Sequence, residues 1–242
     1  FLMAAGVPVP KKIYANGWWV VEGQKMSKSL GNVITPQTLL DNYGSDGARY
    51  ALLREMPFGN DGNFTHENAV NRINGDLANG LGNLAQRTLS MIAKNAEGRV
   101  PANNGLTNED KSLLNMAYDL PTQTGEFIDA MQIHKYLESV WHVVGEANAY
   151  IDAQAPWKLK KEDPERMQTV LYVLAEVIRC CAIMAQPIIP TGANKILDQL
   201  AVADDQRTFS HSTSANAIQT GIALPAPEGV FPRLELNKEE AA

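Results

Sequence analysis

Two ammonium groups three residues apart, in Lys25-Met26-Ser27-Lys28-Ser29, are the part of this chain best suited to chemistry. Serine flanks them and Leu30-Gly31-Asn32 follows, so both cations can close over one polyphosphate. The Ser27 and Ser29 hydroxyls and nearby backbone N–H groups fill the space between the charges. Lysine serves there as a mobile point charge, useful where a phosphoryl transition state gathers charge on equatorial and leaving oxygens. A solvated basic loop is the alternative. Two further sets of residues suit unstacked bases. Asn83 and Arg87 stand four apart, hence on one face of a helix, and offer an amide and a guanidinium to base edges. Trp157 follows Ala155-Pro156, just after a helix end, where the proline restricts the backbone and an outward indole would stack on a base for ~1–3 kcal/mol. Their plainer readings are a solvated polar face and core packing. His66, His134, His142 and His211 are isolated and read as structural or exposed.

The elements that must hold these groups follow from periodicity and turn chemistry. Ile13-Tyr14-Ala15 predicts a short strand, and Trp18 to Val21 with Gln24 to Met26 predict a hairpin turning at Glu22-Gly23, which presents the lysine loop at its far end. Asn16-Gly17 is the competing turn, and Trp18 and Trp19 read as core or hairpin packing. Thr35-Pro36 starts a helix that Gly44 ends, and Asp46 can cap a second one. The stretch from Pro57 to Phe64 is rich in turn residues and reads as a structural joint. From Thr65 the pattern is helical, with Ile73, Leu77, Leu81, Leu84 and Met91 forming one stripe that Gly98 and Pro101 close. Further helices start at Thr107, run from Ile133 to Tyr150, begin at Asp163-Pro164, and follow Pro190; Pro121 marks a kink or a break in the first of these, beyond which Phe127, Ile128 and Met131 continue the period. Residues 203–220 read as a loop. The architecture expected is mainly α, an antiparallel helical bundle preceded by a small α/β segment.

Composition agrees with a globular chain large enough for a sizeable core: 242 residues, 45% hydrophobic. A net charge of −6 argues against holding RNA by bulk electrostatics and requires local basic patches for any polyanion. Cys180 and Cys181 are adjacent on a helix, diverge by about 100° and do not bridge, which suits a reducing compartment. No signal peptide, repeat or apolar run of membrane-spanning length is apparent, so a cytoplasmic protein without a membrane partner is expected. The opening Phe1 to Ala5 reads as a last helical turn ended by Gly6 and Pro8, as if the chain began inside a larger protein.

The segment from Gly23 to Asn32 resembles the signature loop of the class I aminoacyl-tRNA synthetases, and the segments downstream resemble the methionyl enzymes of that class. Arg54, Glu55, Pro57, Phe58, Gly59, Asp61 and Gly62 match a family segment, and Asp76 to Arg87 is similar to the family's anticodon helix. The resemblance spans most of residues 11–200 and implies a Rossmann-type catalytic remnant over 1–64, a helical anticodon-binding bundle over 65–202, and a loop with a C-terminal peptide over 203–242 that returns toward the catalytic core through Gly221 to Leu236. Residues Lys238 to Ala242 are expected to fray. It further implies ATP binding by Lys25, Met26, Ser27, Lys28 and Ser29, with Lys25 and Lys28 stabilising the adenylate-forming transition state. Asn83 and Arg87 would read the CAU anticodon while Trp157 stacks on one of its bases.

On this resemblance the cofactor is ATP with Mg²⁺, the partners are tRNA-Met and methionine, and the activity is that of a ligase in protein biosynthesis. The family's His-Ile-Gly-His type tetrapeptide, its methionine pocket and its zinc-bearing insertion are absent, so zinc is expected only in an N-terminal part outside this chain. The chain by itself is expected to be inactive. Asn16 stands where many family members carry His, which leaves that position without an assigned role. Isoleucyl, leucyl, valyl or cysteinyl enzymes, and a free-standing helical tRNA-binding module, are the competing readings.

Overall fold

The computed structural model describes residues 1–235; the end of the expected C-terminal peptide at Leu236 and the expected frayed tail lie outside the described residues. Glu22 and Gly23 both adopt positive φ, at 51° and 76°, and close a tight hairpin between β1 (Trp19–Val21) and β2 (Gln24–Lys25). The competing turn at Asn16-Gly17 does not form. Gly17 instead lies so close to the Asn60 carbonyl that a Cβ there would overlap backbone. The expected strand at Ile13-Tyr14-Ala15 is also absent: those residues are irregular, and Ile13 is 89% exposed. Both edges of β1 are taken, one by β2 and the other by β3 (Gly62–Phe64), which runs parallel to it, and residues 13–15 do not join the sheet. The stretch read as a turn-rich joint therefore carries a strand, pinned by Trp18 N–H donating to Asp61 (2.7 Å) and Gly62 N–H donating to the Trp18 carbonyl (2.9 Å).

Helix α1 (Pro36–Glu55) is capped by Thr35, whose side chain accepts from Thr38 N–H, and bends at Gly44, where φ is 67°. Asp46 does not cap its own helix. Its carboxylate accepts from the backbone N–H groups of Thr191 and Gly192 (3.2 and 2.5 Å), satisfying the open amides at the start of α8 (Pro190–Gln199). Thr65 caps α2 (His66–Arg72), which continues without interruption into a π-helical segment, Ile73–Gly82, and then α3 (Asn83–Asn95). Ile73, Leu77, Leu81 and Leu84 are buried along this run as the spacing predicts, with Met91 half-buried.

The bundle is completed by α4 (Asn108–Asp129), α5 (Ile133–Gln154), α6 (Pro156–Glu162) and α7 (Pro164–Ala185). A reciprocal capping box joins Thr107 and Asp110 at the start of α4, and the helix runs through Pro121 unbroken, although Ile128 near its end turns to the surface instead of continuing the apolar stripe. Contrary to the sequence reading, one helix does have the length and hydropathy to cross a membrane. That helix is α7, and 89% of the window concerned is buried by its neighbours, the signature of a central core helix apolar on every side. Its buried Glu176 and Arg179 pair with each other at 2.6 Å, while Arg179 also donates to the His211 carbonyl and Glu176 accepts from Ile218 N–H. These bonds fasten the segment 203–220, where three short 3₁₀ turns interrupt the expected loop. Cys180 and Cys181 are free and buried, and burial pushes the Cys181 thiol up to about 12.

Contacts between α1 and the bundle are polar and numerous. Arg49 donates to the Pro187 and Ile188 carbonyls (2.7 and 2.9 Å), Arg54 pairs with Glu138 on α5 (3.0 Å), and the buried Tyr50 hydroxyl donates to Asp76 (2.7 Å). Trp141 on α5 donates its indole N–H to the Asp76 carbonyl (3.0 Å). Beyond the loop the chain returns to the same region: Leu234 and Asn74 exchange two hydrogen bonds, and Phe231 packs on Gly82 and Gly192.

Candidate functional site

The lysine loop leaves β2 at Lys25 and is folded by its own polar groups. Asn32 bridges its two ends, accepting from Ser27 N–H (2.8 Å) and donating to the Lys25 carbonyl (3.2 Å). The Ser27 and Ser29 hydroxyls share a hydrogen bond (2.7 Å), and Ser29 N–H donates to Ser27 Oγ (3.3 Å). Gly31, at φ 69°, closes the turn with its N–H on the Lys28 carbonyl. Met26 and Ser27 are half-buried, whereas Lys25, Lys28 and Ser29 face solvent. Lys25 Nζ lies 5.1 Å from the ring centroid of Trp18, an exposed indole that supports the hairpin from outside instead of joining the core. Lys28 has no carboxylate partner among the described residues. The loop thus holds two cations on a preformed backbone turn and contains no acidic residue from Lys25 to Asn32. That donor set fits a polyphosphate anion and offers no carboxylate of its own to a metal ion. Among the described residues no group of three or more His, Cys, Asp or Glu side chains is placed to hold a metal ion.

The second set assembles where α3, α5 and α6 meet. Asn83 opens α3 with its side chain exposed, and Arg87, one turn further on, is half-buried on the same helix. Arg87 donates to Asp152 near the end of α5 (2.6 Å), and its guanidinium carbon lies 5.4 Å from the ring centroid of Trp157. Trp157 is 45% exposed, not enclosed by aliphatic neighbours. The structure therefore brings Arg87 and Trp157 into contact and places Asn83 one turn before Arg87 on α3.

Trp157 does come just after a helix end, as its sequence context suggests, and it also lies in the first turn of a further helix that the sequence reading did not include. Ala155 takes a left-handed conformation (φ 43°) that ends α5 and begins α6 at once, with Pro156 as the first residue and Trp157 in the first turn. A buried ionic clamp supports this corner and was not legible in the sequence. Asp110, at the start of α4, accepts from both Arg166 Nη atoms (2.5 and 2.8 Å), from the Tyr150 hydroxyl (2.5 Å) and from Thr107 N–H (2.9 Å). Arg166 also donates to Gln154, the residue before the left-handed Ala155 (2.7 Å). Burial alone would raise the Asp110 carboxyl, but Arg166, Tyr150 and Thr107 together hold it down at about 2. Asp152 and Arg166 lie 65 and 79 positions beyond Arg87, and nothing local in the chain links them. The sequence signal that could have found α6 was the run Pro156-Trp157-Lys158-Leu159-Lys160-Lys161-Glu162, a proline followed by strong helix formers.

Similarity to known proteins shows the family. Residues 1–89 match the family model described as tRNA synthetases class I (M), and residues 100–241 match the anticodon binding domain of methionyl tRNA ligase. The methionine–tRNA ligase of Mesorhizobium japonicum is 52% identical over 233 residues, which is 96% of this chain and 45% of that protein. The Rickettsia felis enzyme is 48% identical, covering 97% of this chain and 46% of its own length. A solved structure of Mycobacterium tuberculosis methionyl-tRNA synthetase in complex with methionyl-adenylate superposes with a TM-score of 0.90 at 47% identity, covering 96% of this chain and 46% of that one. The apo form of the same M. tuberculosis enzyme gives 0.88 at 43% identity, over 98% and 46% of the two chains. The chain spans about half the length of the curated relatives it matches. By family model, sequence and fold alike, the chain belongs to the methionyl-tRNA ligase family of class I synthetases and carries its anticodon-binding domain.

Proposed function

We propose that this chain supplies the ATP-clamping loop and the anticodon reader of a methionine–tRNA ligase, an enzyme that activates methionine with ATP and transfers it to tRNA-Met in the cytoplasm. The division follows the sequence reading: residues 1–64 end the catalytic domain, 65–202 form the reader, and 203–242 return toward the catalytic side. The observation that carries the proposal is the half-exposed Trp157 ring resting against the Arg87 guanidinium, with exposed Asn83 on the same helix. That arrangement offers one stacking face and two hydrogen-bonding groups to splayed bases, the way single-stranded loops are read.

In this reading Lys25 and Lys28 act on the α- and leaving β,γ-phosphates as the methionine carboxylate attacks the α-phosphorus. Charge grows there only in the transition state, so fixed cations lower the barrier more than they tighten ATP binding. Ser27 and Ser29 keep the turn closed and add hydroxyl donors, with Met26 packing the loop's inner side. Mg²⁺ carried by the nucleotide would supply further charge neutralisation there, and Lys25 and Lys28 are the residues of this chain that would meet the phosphates. On this reading the isolated chain is expected to bind tRNA without activating methionine.

ATP–pyrophosphate exchange by the complete ligase tests the loop: Lys28→Ala should cut kcat on the order of 10²-fold with a smaller change in KM for ATP. Unchanged exchange removes the loop assignment, and exchange driven by isoleucine or leucine instead of methionine removes the subfamily. For the reader, Trp157→Ala should weaken binding of a CAU-anticodon tRNA by on the order of 10-fold or more, the loss of one stacked base.

A further inference from the structure

The run of lysines on α6 is unused by the reading above, which assigns only Trp157 from that helix. We infer that Lys160 and Lys161 are contacts for the RNA sugar–phosphate backbone beside the base stacked on Trp157, an inference that rests on the anticodon reading.

At about 100° per residue, Lys160 and Lys161 fall roughly 60° and 40° to either side of Trp157 on α6, so they share its face. The opposite face is spoken for: Pro156 is buried and Leu159 packs against the core. Lys158, Lys160 and Lys161 are exposed, and among the described residues none is in an ion pair. Lys158 differs from the other two because Glu162 stands four residues on, at the spacing where a carboxylate and an ammonium are neighbours on a helix surface. Three of the neighbouring carboxylates are engaged elsewhere, while Glu162 and Glu165 are exposed and in no ion pair among the described residues. Asp152 holds Arg87, Asp163 accepts from Arg166 N–H as the cap of α7, and Asp110 holds Arg166. Lys160 and Lys161 are therefore the uncommitted cations on the stacking face.

The overall charge makes such a pair necessary. A chain at −6 repels RNA at long range, and a stacking platform with two base-reading groups carries no counterweight of its own, since Arg87 is already neutralised by Asp152. Phosphate contacts supply the sequence-independent part of binding and fix register, while base contacts specify. Two lysines flanking the platform divide the work in that way.

The test is binding of a transcribed CAU-anticodon tRNA to the chain by fluorescence anisotropy across a salt series. Each single-strand phosphate contact contributes about 0.7 to the slope of log K against log salt. The double variant Lys160→Ala/Lys161→Ala should therefore lose about 1.4 from the slope and bind about 14-fold more weakly near 0.15 M salt. Lys158→Ala should change the slope by less than either single variant at 160 or 161, and Trp157→Ala should weaken binding with the slope unchanged. A double variant that keeps the wild-type slope overturns the inference; if Trp157→Ala still weakens binding in that case, the anticodon reading stands without it. Should Trp157→Ala also leave binding unchanged, the reader itself has been misassigned and the inference falls with it.

Discussion

Asp110→Ala removes the carboxylate on which three helices converge, and its cost can be worked from the bonds it breaks. Asp110 is fully buried, and the Tyr150 hydroxyl that donates to it is 8% exposed at the residue level. Losing that acceptor leaves a buried hydroxyl unsatisfied, at about 1–2 kcal/mol. Half of the α4 capping box goes as well, although Thr107 still caps from its own side, so that loss is about 0.5 kcal/mol. The largest effect is on Arg166. Breaking a buried ion pair costs ~3–5 kcal/mol when the remaining charge is trapped, but the Arg166 side chain is 17% exposed and can turn partly to water, which places its share at about 1–2 kcal/mol. The sum is about 3–4 kcal/mol, against about 2 kcal/mol for Asp110→Asn, which keeps one acceptor.

The pH dependence has a definite sign. The folded-state carboxyl sits near 2, below its ordinary 3.8, so the native state favours the ionised form. Its stabilisation is complete above pH ~4 and is lost as the pH falls from ~4 toward ~2, up to about 2 kcal/mol. Urea unfolding of wild type and Asp110→Asn at pH 7 and at steps down to pH 2 measures both quantities. The variant should start lower and lose less on acidification, its curve converging on that of wild type. If Asp110→Asn lies within 0.5 kcal/mol of wild type at pH 7 with a parallel acid dependence, the clamp does not support the corner that carries Trp157.

Gly192→Ala places a Cβ inside the Phe231 ring, so the C-terminal peptide must leave its seat; a loss of about 1–3 kcal/mol is expected, with new protease cleavage between 221 and 235. Asn32→Ala cuts both ties across the lysine loop and should lower pyrophosphate exchange by the complete ligase while leaving tRNA affinity as it was. Because burial holds the Cys181 thiol near 12 and raises that of Cys180 well above its ordinary value, neither cysteine should react with a thiol reagent at pH 8 until the chain is unfolded in urea.

How much of this was legible in the sequence depended on how local the cause was. Caps and turn residues act within four positions, so Thr35, Thr65, Thr107 and Asp163 mark helix starts correctly, and Glu22-Gly23 gives the hairpin. The apolar stripe from Ile73 to Leu84 is likewise local and is buried as its spacing demands. Errors arise where a partner far along the chain decides. One edge of β1 is taken by β3, more than forty residues away, and the residues from Ile13 to Ala15 pair with no strand of this sheet. Asp46 stands where it could cap the next stretch of its own helix, yet its carboxylate goes to α8 because the bend at Gly44 turns α1 toward that helix's open amides. The site divides in the same way. Loop chemistry is contained in eight consecutive residues, so its cations, its serines and its closing glycine could be read directly. The proposed reader draws on three helices. Its residue types were visible one by one, but that Arg87 rests against the Trp157 ring and is neutralised by Asp152 is a fact of packing. On the proposed reading, an arginine already paired with Asp152 would present its remaining N–H groups in a fixed fork and bring little net charge, so it would contribute selectivity for a base edge more than attraction for RNA.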